Sequence, residues 1–179
     1  MLKKLGILIV VIAIAAGGLF AYASRLPDVF HVERSASIKA TPEKIFPFIN
    51  TLSAFHAWEP FSRQDPNIKI TYGGPESGKD AYYSWSGNGK VGEGRVLITG
   101  SEPATKIAMQ LDMVRPLEAH NDVLFTITPQ GGDSTLVKWE MSGTRPLIGK
   151  VADVVFNMDK MVGGAFQEGL VNLKSTVEK

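Results

Sequence analysis

Hydrophobic and polar positions fall into three successive regimes along the chain. The first is Leu5 to Ala23, LGILIVVIAIAAGGLFAYA, an uncharged run directly behind Lys3 and Lys4. A helix crossing a hydrocarbon core of ~30 Å needs about 20 apolar residues, and this run is long enough. It has no polar face, unlike a helix laid on a globular core. The second regime is alternation. Phe30, Val32, Ser35 or Ala36, Ile38 and Ala40 mark a first strand. Further strands are predicted over Ile68–Tyr72, Ala81–Ser86, Val91–Ser101, Lys106–Val114, Asn121–Thr128 and Ser134–Gly143. After the first strand, Thr41-Pro42-Glu43-Lys44 reads as a helix start with Thr41 as N-cap, and Pro47 keeps that helix short. Asn50 to Phe55 gives a second short helix. The third regime is a helical period from Gly149 to Val177, carried by Val151, Val154, Val155, Met158, Val162, Ala165, Phe166, Leu170, Leu173 and Val177. The order predicts an α+β domain in which one long terminal helix covers the inner face of an antiparallel meander.

Glycines punctuate the strands. Gly87-Asn88-Gly89-Lys90-Val91-Gly92 matches G-x-G-x-x-G, but phosphate binding needs that turn to open a helix, and here a strand follows. Asn88-Gly89 instead predicts a two-residue hairpin turn. Trp85 then lies opposite Gly92, Tyr83 opposite Gly94 and Ala81 opposite Val96, so aromatic rings lean over glycines on one face. Glycines there permit the sheet to curve and leave room for a pocket. In this register Glu93 points away from that face; a slip of one residue would turn it inward. Gly163, Gly164 and Gly169 in the terminal helix each cost about 1 kcal/mol relative to alanine, which implies either close approach to a neighbour or a kink.

Composition narrows the chemistry. Nineteen basic against eighteen acidic side chains leave a net charge of +1, with no basic stripe to hold nucleic acid. There is no cysteine, which excludes disulfides and thiolate chemistry. His31, His56 and His120 have no metal-ligand spacing, and no nucleophile motif occurs. Glu59, Glu93 and Glu140 are the acids set among apolar residues, with Glu140 placed on the solvent side by alternation with Trp139 and Met141. The positive residues before the apolar run predict its amino end in the cytoplasm. Ala21-Tyr22-Ala23 before Ser24 also matches a signal-peptidase site, so cleavage after Ala23 is the alternative to a retained anchor.

The segments SIKATPEKIFPFI, FHAWEPF, YYSWSGNGKVGEG, STLVKWEMSG and FQEGLVNLK, in that order, resemble the START-like SRPBCC superfamily. More narrowly, the chain is similar to the branch called polyketide cyclase/dehydrase and lipid transport, over roughly Val32 to Glu178. The resemblance implies a helix-grip fold, a curved antiparallel sheet of about six to seven strands wrapped around the long carboxyl-terminal helix. It also implies a cavity for a hydrophobic small molecule, placed by position among Trp58, Tyr83, Trp85, Met109, Phe125, Trp139, Met141, Met158, Val162 and Phe166. No cofactor and no metal are implied.

These readings divide the chain into an anchor over residues 1–25 and a ligand-binding domain over 26–179. They predict a single-pass inner-membrane protein, spanning through residues 5–23, whose domain lies in the periplasm or outside the cell and binds a lipid or other apolar small molecule. Two alternatives stand beside that. One is a cyclase- or dehydrase-like enzyme using Glu93, or less directly Glu59, as an acid–base group. The other is an envelope interaction domain with a filled core.

Overall fold

The computed structural model describes residues 2–179, the side chains of Leu2, Phe156 and Met158 excepted. Alternation decides which face of each strand is buried. In β5 (Lys106–Arg115), Ile107 and Met109 are buried; in β6 (Ala119–Gly131), Val123, Phe125 and Ile127; in β7 (Ser134–Thr144), Val137, Trp139 and Met141. With β1 (Val29–Ile38), β2 (Lys69–Gly73), β3 (Tyr82–Ser86) and β4 (Glu93–Glu102), these form one seven-stranded sheet in the order β1-β7-β6-β5-β4-β3-β2, antiparallel throughout. The strands from β2 to β7 run as a meander, and β1 returns beside β7. Register shifts in β4 between Glu93 and Gly94 and between Ile98 and Gly100 mark where the ladder is interrupted, the feature that bends a strand.

Among the described residues five α-helices accompany the sheet: α1 (Leu2–Ala23), α2 (Pro42–Asn50), α3 (Leu52–Trp58), α4 (Leu147–Phe156) and α5 (Met158–Val177). Thr41 occupies the N-cap of α2 as the sequence predicts, though its side chain makes no capping bond, and Pro47 sits inside the helix. The 20-residue α5 packs on β1, as a helix-grip arrangement requires. The terminal helical run is divided. Asn157 adopts a left-handed conformation (φ 51°) between α4 and α5, and its side chain caps α5 by accepting from the Lys160 amide. Asparagine is among the few residues that enter this region readily, so the apolar period continues across a break that periodicity alone does not reveal.

The core fills one end of the sheet's concave face. There α2 and α3 pack against α5, α2 also meets β6, and Phe55, Trp58, Phe125, Trp139 and Phe166 form a continuous aromatic cluster. The Trp58 indole donates to the Phe48 carbonyl at 2.8 Å, and the Trp58 carbonyl accepts from Asn172 at 3.0 Å, tying the two short helices to α5. Opposite this closed end lie the start of β1, the ends of β5 and β7 and the start of β6.

Candidate ligand cavity

Between the concave face of the sheet and helices α4 and α5 there is a cavity of about 720 Å³. This is within the ~300–1,000 Å³ usual for small-molecule sites. Alternation places Met109, Leu111 and Met113 of β5, Val123 of β6 and Trp139 and Met141 of β7 on its wall. Tyr83 and Trp85 come from β3, Val96 from β4, and Val162 and Phe166 from α5. The wall is overwhelmingly apolar, and its methionines and aromatics are the side chains that adapt best to an irregular cargo.

Of the residues named from the sequence, Tyr83, Trp85, Met109, Trp139, Met141, Val162 and Phe166 line this cavity. Trp58 and Phe125 do not. They lie fully buried behind the wall, where Trp58 meets Phe125 edge to face at 6.1 Å and Phe125 leans against Trp139 at 5.0 Å. Met158 begins α5, and its side chain lies outside the described residues. The residues missing from the sequence reading, among them Val29, Leu117, Asn121 and Ile148, come from the strand ends, the β5–β6 turn and α4, which meet only in the folded chain.

The hairpin beside the cavity differs from the two-residue turn expected at Asn88-Gly89. Gly87 and Gly92 close a longer loop through an amide–carbonyl bond of 2.9 Å, and the Asn88 side chain accepts from Lys90 and Val91 within it. Trp85 therefore faces Gly94 and Tyr83 faces Val96. The register moves by two residues, so the faces are unchanged. A Cβ on Gly94 would collide with the Trp85 ring and the Asp112 carbonyl, so a glycine is needed beneath that indole. The Trp85 indole in turn donates to the Val91 carbonyl at 2.9 Å and holds the loop over the cavity's edge.

Glu93 faces away from the cavity and pairs with Arg115 at 2.5 Å, which removes the acid–base role that a one-residue slip would have allowed. Glu59 does line the cavity and is buried. Its carboxylate accepts from the Phe61 and Ser62 amides at 2.7 and 3.2 Å and from the Ser62 hydroxyl, and it lies 3.2 Å from the His56 ring. Those partners occupy both oxygens and assign Glu59 to holding the turn after α3. Burial, with Glu59 adding to it, pushes the Tyr83 phenol far above its ordinary pKa, so it stays neutral.

Among the described residues, three polar atoms of cavity-lining side chains are buried without a hydrogen bond: the Asn121 amide oxygen, the Trp139 indole nitrogen and the Arg145 Nε. Pairing of β1 with β7 gathers His31, which also borders the cavity, with Glu33 and Glu140, and their ligand atoms lie within 4.8 Å of one another although the sequence offers no such spacing. Lys138 sits 3.1 Å from Glu140 and 3.9 Å from Glu33, so a cation of the protein already neutralises the acids. These neighbours cover most of the Glu140 side chain (16% exposed), which is less open to solvent than alternation implied.

The family described as polyketide cyclase/dehydrase and lipid transport matches residues 29–178. No curated protein matches the sequence. Among solved structures, a protein of Mesorhizobium loti is similar with a TM-score of 0.61 at 15% identity, over 83% of this chain and 97% of that one. Norcoclaurine synthase of Thalictrum flavum, solved with dopamine and hydroxybenzaldehyde, gives 0.59 at 11% identity, over 82% and 87%. The Aha1 dimer of Colwellia psychrerythraea gives 0.58 at 16% identity, over 83% and 96%. At these identities the likeness is one of fold.

Proposed function

The chain belongs to the polyketide cyclase/dehydrase and lipid transport family, and from that premise we propose that it is a membrane-tethered binding protein that takes a lipid-like or other apolar small molecule into its cavity. The observation that carries this reading is the 720 Å³ space with its apolar wall. Removing apolar cargo surface from water supplies roughly 25 cal/mol per Å², less the cost of association. The unpartnered Asn121 amide selects cargo with a polar group at that point of the wall, because an empty or wholly apolar filling leaves its desolvation uncompensated. A filled-core interaction domain is disfavoured by the same cavity.

Residues 1–25 serve as the tether in this reading, and residues 26–179 as the binding domain. Lys3–Ala23 form a helix of 21 residues with mean hydropathy 2.5, none of it buried against the domain within its most apolar stretch. At 1.5 Å per residue its length is about 31 Å, matched to a hydrocarbon core. With Lys3 and Lys4 inside, the domain stands on the far side of the membrane.

Native mass spectrometry of the full chain, released from micelles, tests the proposal. One apolar molecule per chain is expected, retained less in Met141→Trp, whose larger ring intrudes on the cavity. Wild type and variant that both emerge empty, also after incubation with lipid extract, would remove the reading.

A further inference from the structure

Helix α4 is inside out. Its two charged side chains, Lys150 and Asp153, are turned to the protein: Lys150 is only 5% exposed and reaches Asp28 at 2.5 Å, and Asp153 pairs with Arg145. Its apolar side chains face outward instead, with Ile148 64%, Val155 56% and Leu147 45% exposed. A surface helix in water shows the reverse arrangement. The end of β5 adds Val114 and the β5–β6 turn adds Leu117, exposed by 59% and 57%. Leu117 and Ile148 both belong to the lining of the cavity, so these two exposed apolar residues stand at the rim of its mouth.

The same end of the domain carries the tether. Helix α1 packs against α4, and Ala23 at its end is fully buried. Only Ser24 to Asp28 separate α1 from β1, and that link is fastened: the Asp28 carbonyl accepts from the Arg145 amide at 2.6 Å, beside the Asp28–Lys150 pair. A membrane around α1 therefore lies beside α4 and the mouth. Charged residues of the cavity lining here include Lys90 and Arg145 beside Glu118 and Asp153, so both signs are present and neither dominates.

We propose that α4 and the β5–β6 turn seat in the surface of the bilayer that holds α1, so that the cavity mouth opens onto the lipid leaflet and cargo enters from it without crossing water. An interfacial helix buries an apolar face by ~5–10 Å at the headgroup boundary, which is the environment this face lacks in water. The ion pairs of Lys150 and Asp153 satisfy the charges on the side turned from lipid. This rests on the tethered-binding reading and adds the source of the cargo and the route it takes.

The absence of cysteine makes the test direct. Ile148→Cys, Leu117→Cys and, in the β6–β7 turn at the closed end, Asp133→Cys are each labelled with an environment-sensitive fluorophore. The full chain is reconstituted in phosphatidylethanolamine–phosphatidylglycerol vesicles with or without doxyl-labelled lipid. Blue-shifted emission at 148 and 117, quenched by doxyl lipid roughly threefold more than at 133, is expected for rim residues in the interface. Emission at 148 and 117 as water-like as at 133 overturns the proposal. A blue shift without doxyl quenching also overturns it, since a second copy or another protein would then cover the rim. Cargo weighed from the same vesicles separates the two readings. A loaded cavity with unquenched labels ends the docking proposal alone, and quenched labels with an empty cavity end the binding reading and the entry route with it, leaving only the contact of the rim with lipid.

Discussion

The two ends of the domain are built on opposite terms. At the closed end, α2, α3 and α5 bury large side chains completely, Trp139 stacks on Phe166 at 4.1 Å, and the polar handle of Trp58 is bonded. At the mouth, apolar side chains stand exposed on α4 and the β5–β6 turn, while buried positions are held by ions. The closed end carries the stability of the fold; the mouth keeps its apolar surface uncovered. One chain can support both because the sheet reaches from one end to the other and its curvature leaves the middle open.

Truncation separates the ends most sharply. Phe166→Ala removes a buried ring and its stack on Trp139 and is expected to cost about 3–5 kcal/mol, whereas Ile148→Ser at the rim changes stability by within about 0.5 kcal/mol. Denaturant unfolding of the full chain in micelles, followed by circular dichroism, measures both. Equal effects would dissolve the distinction.

Glycines in α5 sharpen it further. A Cβ at Gly169 would stand 2.8 Å from the Trp139 ring and 3.2 Å from Pro60, so Gly169→Ala is expected to destabilise by about 1–3 kcal/mol despite its better helix propensity. Gly164 has nothing within 4 Å, and Gly164→Ala is expected to stabilise by up to about 1 kcal/mol. Opposite shifts in melting temperature are the expected result; shifts of the same sign would mean that close approach is not what retains Gly169.

Within the cavity, Asn121→Leu replaces an unpartnered amide by an apolar group of similar size. The empty protein is expected to gain about 1 kcal/mol while cargo with a polar group is retained less well. A thermal melt of cargo-free protein and the mass of the co-purified molecule read the two parts separately.

The smallest effect lies on the outer face near the mouth. Asp112 accepts a bond from His120 at 2.7 Å and holds its pKa above the ordinary histidine value. That pairing contributes fully below the unfolded value of about 6.5 and is lost as pH rises through the folded pKa. The pair is exposed, so stability should change little. An NMR titration is expected to place His120 above the reference and to return it there in Asp112→Asn.

Much of this was legible from residue order. Alternation through Ile107, Met109, Val123, Val137 and Trp139 marks strands and their inner faces because a pleat has period two in any context. Tyr83 and Trp85 reach the cavity wall although the hairpin loop is longer than Asn88-Gly89 implied, because a shift of two residues keeps each face. Trp58 and Phe125 were less readable, since inward alternation does not tell a side chain on a cavity wall from one packed behind it.

By itself, the sequence determined the apolar amino-terminal helix, the strand and helix order, the sheet's inner face and, with them, the family fold, because these depend on local period and composition. Tertiary structure alone decided the gathering of His31 with Glu140 and the inversion of α4. Each of these depends on partners distant in the chain. Lys150 turns inward because Asp28, more than a hundred residues earlier, is held beside it, and no period within Leu147–Phe156 encodes that neighbour.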